Sequence, residues 1–135
     1  VDLYAGTVAT TPDVAMATMK AVDDTKAAAV ISAALELAAT DPRIKATKRA
    51  VIGWCFGGGW ALQTALTHPE LDGAIIYYGQ LELDPTKLAA IKAHVLGVFG
   101  TRDKGIPPES VEYTCMSISI ASPAFRRMRE RPPSQ

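Results

Sequence analysis

Apolar positions recur along this chain with two different periods. Between Asp23 and Thr40 they fall at Val30, Ile31, Ala34, Leu35 and Ala38, the spacing of one face of a helix. A shorter helix is expected before it, from Thr11-Pro12-Asp13 to about Ala21, because Pro and an acidic residue suit a first helical turn. Asp41-Pro42 closes the alanine-rich helix. Three short apolar runs follow, Ala50 to Trp54, Ala74 to Tyr78 and Val95 to Phe99, each the length of a buried strand. Helical patterns separate them: Gly57 to His68, stopped by Pro69, and a segment from Asp84-Pro85 to about Lys92. Apolar strands alternating with helices predict an α/β fold, a parallel sheet with helices on both faces.

The pattern changes near the end. From Tyr113 to Ala121, Met116, Ile118 and Ile120 alternate with Cys115, Ser117 and Ser119, the period of a half-exposed strand. A basic segment comes next, Phe125-Arg126-Arg127-Met128-Arg129-Glu130-Arg131, read as a solvated end. Pro132 to Gln135 is expected to be disordered.

Composition narrows the function classes. The 135 residues suffice for one domain, and 48% apolar with 21% charged residues fits a globular core. The formal net charge is zero, so no basic field points to nucleic acid. No apolar run approaches the ~20 residues of a membrane helix, and no membrane partner is expected. Val1-Asp2-Leu3-Tyr4 has neither a starting Met nor the features of a signal peptide, so it reads as the interior of a longer sequence. Cys55 and Cys115 make no disulfide framework, and a cytoplasmic location is the expectation.

One stretch carries chemistry. In "VIGWCFGGGWAL", residues 51 to 62, a strand runs into Gly53-Trp54-Cys55-Phe56-Gly57 and then a helix. This fits the nucleophile-elbow pattern G-x-S-x-G with Cys in the serine place. Such a turn strains the nucleophile's backbone and needs glycine around it. The thiol stands at the C-terminal edge of the sheet, where the positive end of a helix dipole faces any anion on sulfur. The N–H of Phe56 is then a candidate oxyanion donor. On the residues alone, a buried cysteine in a glycine-rich turn remains an equal reading. No Lys-Ser/Thr follows the glycines as in a P-loop, and no G-x-G-x-x-G is present, so no cofactor or metal is expected.

"VIGWCFGG", "AIIYYG" and "VLGVFGTRD", in this order and spacing, resemble the dienelactone hydrolase family of α/β-hydrolases. "VDLYAG" followed by "TTPDVAMATM" is similar to the family's stretch ahead of the elbow. The resemblance covers roughly residues 1 to 112 as a partial α/β-hydrolase domain and leaves 113–135 as a divergent tail. It implies a carboxylic ester or lactone hydrolase with a Cys-His-Asp triad, in which Cys55 is the nucleophile and Asp103 orients the histidine. Without the resemblance, a strand-end aspartate is as often a loop cap.

Three departures bear on activity. The family's strands ahead of "DLY", with a second oxyanion N–H and a glutamate that contacts the thiol, have no counterpart here. Ala5 and Gly6 stand where many members carry a substrate-binding arginine. The family's histidine follows the aspartate by some thirty residues, yet residues 113–135 contain none. His68 lies thirteen residues along the helix from Cys55, roughly 20 Å away. His94 begins the third strand, at the opposite edge of the sheet from the elbow. Tyr77, Tyr78 and Tyr113 are nearer, but a phenol is a poor general base at neutral pH. The expectation is therefore an impaired hydrolase of a small-molecule ester or lactone. The alternative is a non-catalytic module that self-associates as a homodimer through an exposed sheet edge or through the tail strand.

Overall fold

A computed structural model describes residues 1–121, 126 and 127. The chain divides into two compact units, Val1–Arg49 and Ala50–Gln135.

The first unit holds α1 (Pro12–Lys20) and α2 (Asp24–Thr40). Thr11 caps α1, its hydroxyl accepting from the Val14 N–H at 3.3 Å. Asp23 caps α2 by accepting from the Lys26 N–H at 2.9 Å. Ala27, Ile31 and Leu35 form the buried stripe of α2, while Val30 stays 45% exposed, so the stripe is narrower than the pattern suggested. The helix stops where expected. Pro42 holds Asp41 in the extended region, with ψ 121°.

The second unit is β1 (Ala50–Trp54), α3 (Phe56–Thr67), β2 (Gly73–Tyr77), α4 (Pro85–Leu88), β3 (His94–Val98), α5 (Pro108–Ala121) and β4 (Arg126–Arg127). The strands pair in the order β1-β2-β3-β4, all parallel. The α/β class with a parallel sheet is thus as the pattern predicted. The register aligns Ala50, Gly73 and His94 in the first row and Trp54, Tyr77 and Val98 in the last. Alternation then puts Gly53, Ala74, Ile76 and Val95 on one face. Ala74, Ile76 and Val95 are buried there, and α3 packs on β1 and β2 through Ala61, Leu62 and Ala65. Ile52 and Trp54, on the other face, are each 52% exposed. Trp54 stacks on its register partner Tyr77, with ring centroids 5.3 Å apart.

Two elements differ from the sequence expectation. Residues 113–121 belong to a helix, not a strand, so the tail strand expected to fill a sheet edge does not exist in that form. The 3.6-residue period prevails because Val111, Thr114 and Ile118 are buried on one side, while Glu112, Tyr113 and Met116 face outward. The apolar alternation at Met116, Ile118 and Ile120 was coincidental. The second difference is α4, a single turn rather than a helix to Lys92. Leu88, Ile91 and Ala93 are all buried in the stretch that leads into β3. The basic segment is described only at Arg126 and Arg127, which pair as β4. The residues expected to be disordered, 132–135, lie outside the described residues.

The loop ahead of α4 is organised by Glu82. Its carboxylate accepts from the N–H groups of Asp84 at 3.0 Å and Leu83 at 2.9 Å and from the Lys87 ammonium at 3.0 Å. Its own carbonyl accepts from the Thr114 hydroxyl of α5 at 3.1 Å. The Asp84 N–H foremost, then Lys87, holds the Glu82 carboxyl below its ordinary value, and Glu82 raises Lys87. A lowered carboxyl contributes stability above its unfolded value, and that stability disappears as pH falls through the folded one. Glu82→Gln should therefore melt below wild type at neutral pH, with the two curves converging as pH falls through the lowered folded value of Glu82. Thermal melts of both proteins across that range check it. The Lys87 side of the pair runs the other way, full below its unfolded value and lost only in alkali.

Candidate active site

The site is built from the end of β1. The chain leaves Trp54, turns at Cys55 and enters α3 at Phe56. Cys55 has φ 53° and ψ −117°, a left-handed backbone that a side chain resists at a cost of about 1–3 kcal/mol. Three hydrogen bonds hold it there. The Cys55 N–H donates to the Tyr77 carbonyl at 3.0 Å, and the Cys55 carbonyl accepts from Gly58 at 3.0 Å and Gly59 at 3.2 Å. The side chain is exposed at the N-terminus of α3 and makes no capping bond.

Glycines make the turn possible, though not all those of the motif. A Cβ on Gly53 would strike the backbone of Gly57. One on Gly58 would lie 2.7 Å from the Tyr77 carbonyl oxygen and 2.9 Å from the Gly79 Cα. One on Gly79 would strike Gly58 in return. One on Gly57 would meet nothing within 4 Å. The helix therefore starts in backbone-to-backbone contact with the ends of β1 and β2, and Gly58 is the residue at the centre.

Asp103 lies in the loop after β3, half-buried. Its Oδ1 accepts from the N–H groups of Gly105 at 2.8 Å and Ile106 at 3.1 Å, so the carboxylate shapes this loop. Both it and Cys55 come after the C-terminal ends of parallel strands, the edge where ligands bind in open α/β sheets. Phe56 is the first residue of α3, and its ring meets Trp60 edge-on at 6.4 Å.

The histidines lie elsewhere. His68 caps the far end of α3, with Nδ1 3.0 Å from the Thr67 hydroxyl. His94 is in the first row of the sheet with Ala50, while Cys55 lies beyond the last. Five residues of strand, at ~3.3 Å each, separate those positions by roughly 16 Å. Proton transfer requires about 3 Å, so neither imidazole serves Cys55 within this chain.

A family model, the Dienelactone hydrolase family, matches residues 1–125. This chain belongs to the dienelactone hydrolase family. The match continues past residue 112 into α5, further than the sequence motifs reach. A protein named "Putative carboxymethylenebutenolidase" from Escherichia coli K12 is 35% identical over 81 residues, covering 53% of this chain and 30% of that protein. One of the same name from Methylorubrum extorquens AM1 is 28% identical over 100 residues, covering 67% and 34%. The chain thus spans about a third of the length of these curated relatives. The crystal structure titled "Putative Dienelactone Hydrolase from Klebsiella pneumoniae subsp. pneumoniae MGH 78578" matches with a TM-score of 0.69 at 22% identity, over 91% of this chain and 55% of that one. The structure titled "m3DLH" matches at 0.75 and 23%, over 96% and 56%. These likenesses establish a partial α/β-hydrolase fold for this member of the dienelactone hydrolase family. Among the described residues, no helix is long and apolar enough to cross a membrane.

The two cysteines of this family member differ in setting. Cys55 is exposed at a helix N-terminus, whereas Cys115 is partly covered within α5. Iodoacetamide at neutral pH should alkylate Cys55 first. Peptide mapping against time reads the order, and equal slow rates at both would remove support for an activated thiol.

Proposed function

We propose that this chain acts on a carboxylic ester or lactone through Cys55, in the manner of dienelactone hydrolases, and that its turnover is impaired. The observation that carries the reading is the backbone of Cys55. A cysteine held at φ 53° between a parallel strand and a helix, with its side chain exposed, is strain without structural use unless the sulfur reacts.

The chemistry runs in two halves. The thiolate sulfur adds to the acyl carbon, and its negative charge passes to the carbonyl oxygen. The Phe56 N–H at the start of α3 is the proposed donor to that oxyanion. Collapse breaks the acyl C–O bond. The alkoxide leaves with a proton from water, and a thioester remains on Cys55. Hydrolysis of the thioester needs a second water and a base to deprotonate it. Asp103 is proposed to orient that base, an imidazole in this family, yet His68 and His94 are both out of reach. The first half is therefore open to a good leaving group, and the second is slow. Nitrophenolate release from a p-nitrophenyl ester, compared between the wild-type chain and Cys55→Ala, tests the reading. Equal release by both proteins would refute it.

A further inference from the structure

Helical serine and threonine hydroxyls in this chain share a habit. Those of Thr18, Ser32, Thr40, Thr64, Thr67 and Ser117 each donate to the carbonyl four residues back in their own helix. Thr114 of α5 departs from it. Its hydroxyl crosses to the Glu82 carbonyl at 3.1 Å, in the loop after β2. Burial does not account for the difference, because Thr64 is as buried, 3% exposed against 4%, and still bonds within α3.

The loop that Thr114 holds begins on the elbow. The chain leaves β2 at Tyr77, turns at Tyr78 with φ 37°, and sets Gly79 against the first turn of α3. A Cβ on Gly79 would strike the backbone of Gly58 and Gly59, and one on Gly59 would lie 3.6 Å from the N and Cβ of Gln80. Gly58 and Gly59 in turn donate to the Cys55 carbonyl. Between Gly79 and Glu82 stand only Gln80 and Leu81. Beyond them the Glu82 carboxylate fixes the chain through the N–H groups of Leu83 and Asp84. An unbroken series of contacts thus runs from α5, through a short tethered loop, to the turn that carries Cys55.

We propose that Thr114 is a positioning residue for Cys55. Its hydrogen bond keeps Gly79 pressed on the first turn of α3, so that the sulfur and the Phe56 N–H hold the alignment that addition to a carbonyl needs. The inference rests on the ester-directed reading of Cys55. Removing the hydroxyl releases the loop at one end. That slows attack of the sulfur on an acyl carbon, which depends on alignment. It leaves reaction with a small alkylating agent unchanged, because alkylation makes no use of an oxyanion donor. Couplings carried through packed chains of this kind change rates by about two- to thirtyfold.

The test measures two rates on each protein, the nitrophenolate burst with p-nitrophenyl acetate and the alkylation of Cys55 by iodoacetamide. Thr114→Val keeps the shape of the side chain and drops the hydroxyl. Its burst rate should fall by about two- to thirtyfold while its alkylation rate stays at the wild-type value. Thr114→Ser restores the hydroxyl and should recover the wild-type burst. Ser117→Ala deletes a hydroxyl bonded within α5 and should change neither rate. Gln80→Gly, at an exposed position, loosens the same loop without touching α5 and should slow the burst alone. It decides the matter if Thr114→Val does not fold. A wild-type burst rate in Thr114→Val, an equal loss of burst and alkylation, or a Thr114→Ser that fails to recover overturns the proposal and leaves the reading of Cys55 intact. Absence of any burst from wild type overturns both.

Discussion

Mixed with excess p-nitrophenyl acetate, the pure chain should release about one equivalent of nitrophenolate per chain and then stall. The first equivalent needs only the thiolate and a leaving group that departs unaided. The stall arises from where the histidines are. His68 sits at the far end of α3 and His94 in the first row of the sheet, so on the proposed reading neither would reach the water that must attack the thioester. Loss of the general base in such triads commonly costs several orders of magnitude in turnover. Cys55→Ala should abolish the burst, while His68→Ala and His94→Ala should leave both burst and stall unchanged. Progress curves with the four proteins check all of this. Sustained, Cys55-dependent hydrolysis that fails in either histidine variant would show that the base had been misplaced.

Gly58→Ala should destabilise the second unit. The added carbon would meet backbone at Tyr77 and Gly79, neither of which can swing aside like a side chain. Overpacking against fixed backbone costs about 1–3 kcal/mol, and here the contacts are with the last residue of β2 and with Gly79 just after it. The elbow shares that backbone through the Cys55-to-Tyr77 hydrogen bond, so the burst should suffer with the fold. Gly57→Ala is the control. Its methyl group would enter open space in the first turn of a helix, where alanine is favoured by up to about 1 kcal/mol. Urea denaturation of both variants reads the difference. Equal stability would mean that α3 does not start in contact with β2 as described.

The middle of the sequence was legible because its signals are local and agree with one another. Apolar runs of strand length, Asp23 ahead of α2, Pro42 after it and the glycines round Cys55 each constrain the same few residues, and β1 was located to the residue. The tail was not legible, because what decides it is distant. Thr114 is buried and bonds to the Glu82 carbonyl, thirty-two residues away in sequence, and a polar residue at that position hides the helical stripe from any count of apolar letters. Within the site, the strain at Cys55 was readable from G-x-C-x-G, but the strain at Tyr78 was not. Tyr-Tyr-Gly carries no left-handed signal of its own, and the bend arises only when Gly79 meets Gly58 across two elements. The role of Gly57 was misjudged for a similar reason. The motif names it, whereas the close contact falls on its neighbour Gly58.

The most direct measurement of the central claim, that Cys55 is the acyl acceptor, is intact-mass analysis after exposure to an activated ester. The wild-type chain should gain a single acyl group that persists for many minutes and maps to Cys55. Cys55→Ser, treated alike, should gain none. A wild-type mass that never changes, or an adduct equally present in Cys55→Ser, would contradict the account.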